Sequence, residues 1–90
     1  MAVLVRYFAA AAAAAGTAEE HYRLAPGSTL DDLLSEIAAA NRPRPPAGTP
    51  ELNRLLARSS FLRNEVAVRD RSIALGPEDV LDVLPPFAGG

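Results

Sequence analysis

The 90-residue sequence predicts an α+β protein, with a mixed β-sheet packed on one main helix. Three observations point there. Both ends of the chain hold short apolar runs with two-residue alternation, VLVRYF and DVLDVL. Between them, Leu30, Leu33, Leu34, Ile37 and Ala38 recur at helical spacing and mark one core-facing stripe. Turn signals at Pro26-Gly27, Asn64-Glu65 and Gly76-Pro77 cut the remainder into short extended pieces.

The first strand is expected over residues 2–8. Arg6 does not suit a small core, so Val3, Val5 and Tyr7 point inward and Leu4, Arg6 and Phe8 outward. Residues 9–15 are all alanine, the strongest helix former. Because isolated helices shorter than ~12 residues are marginal, only a short helical turn is expected, closed by Gly16 in the left-handed conformation. The second strand spans residues 19–25, with Tyr22 and Leu24 on one face and Glu19, His21 and Arg23 on the other; it pairs antiparallel with the first.

Ser28 or Thr29 then caps the main helix, and Asp31 and Asp32 sit in its first turn, where the helix dipole favours negative charge. Pro43 stops this helix near Asn41. The stretch NRPRPPAGTP is a loop, too rich in proline for a strand. Thr49 followed by Pro50 reads as a cap with proline at the first helical position, opening a second short helix over residues 51–58. Residues 61–63 and 66–68 are short strands around the Asn64-Glu65 turn. Residues 73–75 are extended, and residues 80–84 form the last strand, with Leu81 and Val83 inward and Asp82 outward. Placed parallel to the first strand in the sheet centre, this last strand completes a β-grasp, or ubiquitin-like, arrangement: one domain over residues 1–84 and an extended tail over residues 85–90.

Composition narrows the function. The chain has no cysteine, which removes disulfides, thiolate metal sites and a cysteine nucleophile, and suits a cytoplasmic protein. Its formal net charge of −2 offers no nucleic-acid footprint. No apolar run approaches the ~18 residues of a membrane span, and the N-terminus lacks the basic segment of a signal peptide. The single histidine, His21, falls on a solvent-facing strand position without a positioned partner. No glycine pattern follows a strand and opens a helix, and no His, Asp and Glu show metal-ligand spacing, so neither a metal nor a bound cofactor is expected.

What remains is the end of the chain, VLPPFAGG. Pro85 and Pro86 have fixed φ and no N–H, so the tail leaves the sheet extended and cannot re-enter a ladder. Phe87 offers an apolar anchor, and Ala88 is small. Gly89 and Gly90 have no Cβ and make a thin thread suited to a narrow tunnel. Six extended residues reach ~20 Å, enough for the terminus to visit another protein's active site. A free α-carboxylate has a pKa of ~3.3–3.7 and is an anion in the cell, resistant to nucleophiles until activated. ATP-dependent adenylation is the usual route, and the machinery for it has to come from a separate enzyme.

The β-grasp reading, together with VLVRYFA, STLDDLL and GPEDVLDVLPPFAGG, resembles the MoaD-like sulfur carriers, the small subunits of molybdopterin synthase. The resemblance extends over essentially the whole chain. The terminal Gly-Gly alone is shared with ubiquitin and with other carriers, whereas LPP-x-AGG is narrower. The resemblance implies a carrier rather than an enzyme. It further implies that Gly90 would be adenylated by an E1-like, MoeB-like partner that uses ATP, and then converted to a thiocarboxylate by a sulfur donor. It implies too that a MoaE-like large subunit would take the tail, with Gly89 lining the tunnel and Pro85, Pro86, Phe87 and Ala88 holding it extended. The alternatives are sulfur carriers for thiamine-thiazole, cysteine or tRNA thiolation, a ubiquitin-like protein modifier joined through Gly90, and a binding module with an inert tail.

Strand alternation adds one further expectation. Leu4, Phe8, Phe61, Val80 and Leu84 are expected on the sheet face opposite the main helix, where a contiguous apolar patch would dock a partner.

Overall fold

A computed structural model describes residues 1–86. Its elements run β1 (Ala2–Tyr7), α1 (Ala10–Ala15), β2 (Glu19–Arg23), α2 (Leu30–Ala39), α3 (Leu52–Arg58), β3 (Ser60–Arg63), β4 (Val66–Val68) and β5 (Val80–Leu84). The sheet order is β2-β1-β5-β3-β4. β5 is parallel to β1 and antiparallel to β3, so the last strand enters the middle of the sheet, as a β-grasp requires. Every other residue of the central strands feeds one core. Val3, Val5 and Tyr7 of β1 and Leu81 and Val83 of β5 are buried against Leu30, Leu33, Leu34 and Ile37 of α2.

Local chemistry explains the helix ends. Thr29 accepts from the Asp32 N–H and Asp32 accepts from the Thr29 N–H, a complete capping box that satisfies two donors otherwise left open. Ala38 departs from the predicted stripe: it is exposed, because Leu34 and Ile37 are the buried residues of this last turn and the helix ends one residue later, at Ala39. The alanine run forms α1, closed by Gly16 at φ 80°. Its buried residues Ala11, Ala14 and Ala15 place α1 against β1 and α3, where methyl side chains let backbones approach closely. α3 starts one residue later than expected. Its N-cap is Glu51, with no side-chain cap, while the Thr49 N–H bonds back to the Pro46 carbonyl within the loop's own turn.

Phe61 overturns one expectation. It is 3% exposed and belongs to the core, not to the outer face. Register is the reason: Phe61 pairs with Val83, an inward residue, and Leu62 pairs with Asp82 on the other face. The β3–β4 hairpin turns through Asn64 and Glu65, at φ 49° and 70°, the two positive values that a type I′ turn needs.

Candidate functional site

The outer sheet face is built from alternate residues of the same strands. Leu4 lies beside Val80, and Arg6 beside Asp82, in the parallel β1–β5 register. Leu62 follows Asp82 across the β3–β5 pairing. Just past β1, Phe8 donates its N–H to the Val83 carbonyl at 3.3 Å, which sets it level with Leu84. Leu4, Leu62, Val80 and Leu84 are half-buried and Phe8 is 40% exposed. Four of the five residues assigned to this face from the sequence therefore lie on it. Leu62 takes the place given to Phe61.

A polar row crosses the middle of this face. Arg6 Nε donates to Asp82 Oδ1 at 2.6 Å and its Nη2 to Oδ2 at 2.9 Å, a two-pronged ion pair. The Asp82 side chain is only 6% exposed, against 36% for Arg6. The hydrogen bond to Asp82 holds the guanidinium pKa above its ordinary value. Sequence alternation placed Asp82 outward; its near-complete shielding by Arg6 depends on the strand register, which alternation alone does not give.

β5 delivers the chain's end. It leaves the sheet centre at Leu84, passes through half-buried Pro85, and reaches exposed Pro86. Neither proline has an N–H to extend a ladder. The remaining tail positions named from the sequence, Phe87, Ala88, Gly89 and Gly90, lie outside the described residues.

A second cluster escaped the sequence reading. Arg42, in the proline-rich loop, donates to Glu20 Oε2 at 2.9 Å and Oε1 at 3.0 Å, and to the Tyr22 hydroxyl at 3.0 Å. It also reaches the Ala15 and Ile37 carbonyls, both at 3.3 Å, at the C-terminal ends of α1 and α2. Tyr7 and Tyr22 each donate a hydroxyl to Glu20 Oε1, at 2.7 and 3.0 Å. Burial pushes the Glu20 carboxyl upward, but the bonds from Arg42, Tyr7 and Tyr22 outweigh it, and the net shift is below the ordinary value. Burial, then the Glu20 bond, pushes the Tyr7 hydroxyl far above its usual range. The cluster is an anchor: one guanidinium ties loop 41–50 to β2 and to two helix ends. One of two arginines in a proline-rich segment, Arg42 carried no local signal for partners 22 residues away.

His21 is exposed, as its strand position suggests. Among the described residues, no group of three His, Cys, Asp or Glu is placed to hold a metal, and no helix is long and apolar enough to cross a membrane.

Comparison with known proteins follows the same lines. The ThiS family model matches residues 5–90. A molybdopterin synthase sulfur carrier subunit from Chlamydomonas reinhardtii is 32% identical over 91 residues, covering 100% of both chains. SAMP1 from Haloferax volcanii shares the fold at a TM-score of 0.78 and 22% identity, over 100% of each chain. So does a chain of the complex of subunits 1 and 2 of molybdopterin-converting factor from Helicobacter pylori, at 0.68 and 20%, again over 100% of each. With a family model that runs through residue 90 and a relative aligned from end to end, the chain belongs to the ThiS family.

Proposed function

We propose that this chain is a sulfur carrier, acting through the Gly90 carboxylate as the small subunit of a molybdopterin synthase. The supporting observation is the exit of the chain: a central strand ends in Pro85-Pro86 beside an apolar face, so that a partner can receive both at once. The similarity to a molybdopterin synthase sulfur carrier subunit over the whole chain supports the choice of pathway.

The chemistry has two steps. A Gly90 carboxylate oxygen attacks the α-phosphorus of ATP bound by an E1-like enzyme; an acyl–phosphate bond forms and pyrophosphate leaves. Hydrosulfide released by a sulfur donor then attacks the acyl carbon, the C–O bond to AMP breaks, AMP leaves, and a thiocarboxylate remains after loss of a proton. This chain contributes the carboxylate, a tail without side-chain bulk at Gly89 and Gly90, and the docking face of Leu4, Phe8, Leu62, Val80 and Leu84. The thiocarboxylate sulfur then passes to a pterin precursor held by the large subunit.

Intact-protein mass spectrometry tests the proposal after incubation with an E1-like enzyme, ATP and a sulfur source. The expected result is a mass gain equal to one oxygen replaced by one sulfur, lost when Gly90 is deleted. No gain under conditions that convert an established carrier refutes it. Isopeptide adducts on other proteins in the same experiment would favour the modifier alternative.

A further inference from the structure

Ala9 breaks two local rules at once. Its backbone lies at φ 51° and ψ −128°, a region that glycine enters freely and that strains a residue with a Cβ. It is also the N-cap of α1, where it makes no side-chain cap bond and where alanine is among the poorer choices. Glycine would suit both demands better. The position is nevertheless fixed from both sides. The Phe8 carbonyl accepts from Ala11 at 3.0 Å, and the Ala9 carbonyl accepts from Ala12 at 3.0 Å and Ala13 at 3.3 Å.

Place gives the strain a meaning. Ala9 is exposed and follows Phe8, which is bonded to Val83 of the tail-bearing strand. Phe8 is level with Leu84, the residue before Pro85, the root of the tail. A partner seated on the docking face of Phe8 and Leu84 lies next to this root. Exposed residues that defy local preference tend to serve function at a cost to stability.

We infer that the Ala9 methyl is a contact for the protein that takes the tail, completing the docking face beside Phe8 at the expense of backbone strain. The inference rests on the carrier reading and names a positioning and specificity contact within it. The occupant is the large subunit, which on the carrier reading covers the apolar face from which the tail leaves.

The test measures affinity for the purified molybdopterin synthase large subunit of the same organism, and melting temperature, for four variants. Ala9→Gly is expected to melt a few degrees higher and to bind about fourfold more weakly, the value of one buried methyl. Ala9→Ser keeps the Cβ and is expected to bind like the parent. Glu78→Gly relieves a positive φ of 64° at the opposite end of β5 and is expected to raise melting without changing affinity. Phe8→Ala is expected to weaken binding. If Phe8→Ala weakens binding and Ala9→Gly does not, the inference about Ala9 is overturned and the docking face stands. If Glu78→Gly weakens binding as much as Ala9→Gly, strain relief rather than the methyl is responsible, and the inference is again overturned. If Phe8→Ala binds like the parent, the docking face itself is refuted, and the inference with it.

Discussion

Replacing Arg42 with alanine removes a group that joins loop 41–50 to the rest of the fold through five hydrogen bonds. The magnitude follows from exposure. The side chains of Arg42 and Glu20 are 11% and 27% exposed, so the pair is neither a free surface bridge nor a fully buried one. Surface pairs contribute ~0–1 kcal/mol, while breaking a buried pair costs ~3–5 kcal/mol. Glu20 would keep the two tyrosine donors, so a cost of about 2–3 kcal/mol is expected at neutral pH. For a domain of this size that is a fall in Tm of roughly 10–20 °C. The cost has a pH signature. Glu20 titrates below its ordinary value of 4.5 in the folded protein, so its ionised form contributes stability above that pH, and the contribution is lost as pH falls through the folded value. In Arg42→Ala, burial is no longer offset by the guanidinium, and protonation of Glu20 becomes the easier state. The parent and variant stabilities should therefore converge as pH drops below 4.5, and differ most near pH 7. Urea titrations at several pH values measure this. A difference that stays constant across that range would refute the role given to Glu20 and assign the loss to packing alone.

Two further substitutions separate core from face. Phe61→Asp puts a carboxylate into the buried interior and is expected to abolish folding by circular dichroism, since loss of the ring alone costs ~3–5 kcal/mol. Leu62→Asp, one residue on, is expected to leave a folded protein with impaired partner binding, measured by calorimetry. At the start of α2, Thr29→Ala removes one half of the capping box and is expected to cost ~1 kcal/mol in a denaturant titration, without altering partner affinity.

The sheet, its order and the main helix were legible because long-range and local signals agree there. Leu4, Arg6 and Phe8 had to oppose Val3, Val5 and Tyr7, and Pro43 had to stop α2. The four-residue strand SFLR was not legible in the same way. It holds adjacent apolar residues, Phe61 and Leu62, and alternation requires only that they face opposite ways. Which one enters the core is decided by pairing with Val83 and Asp82 across β5. Ala38 was over-assigned for a related reason: periodicity describes a helix, whereas burial depends on what the sheet can cover. Arg42 was illegible because a guanidinium finds its acceptors in space, here on β2 and at two helix ends. The strain at Ala9 was equally silent, since a run of alanines shows no preference for a positive φ at its first member.

The outer face combines two demands that usually conflict. An apolar patch gains from being covered, yet a carboxylate in its centre resists losing water. Here the carboxylate of Asp82 has already given up most of its solvent to Arg6, and both its oxygens accept from that guanidinium. Much of the Asp82 desolvation cost is therefore met on folding, and a partner covering the face meets a paired carboxylate rather than a bare one. The pair also links β1 to β5, so it holds the tail-bearing strand in the register that puts Leu84 beside Phe8. One interaction thus fixes the exit of the tail and lowers the cost of covering the surface around it. This gives a physical reason for an ion pair to sit among Leu4, Leu62, Val80, Leu84 and Phe8, with Glu19 and His21 of β2 at the edge of the same face.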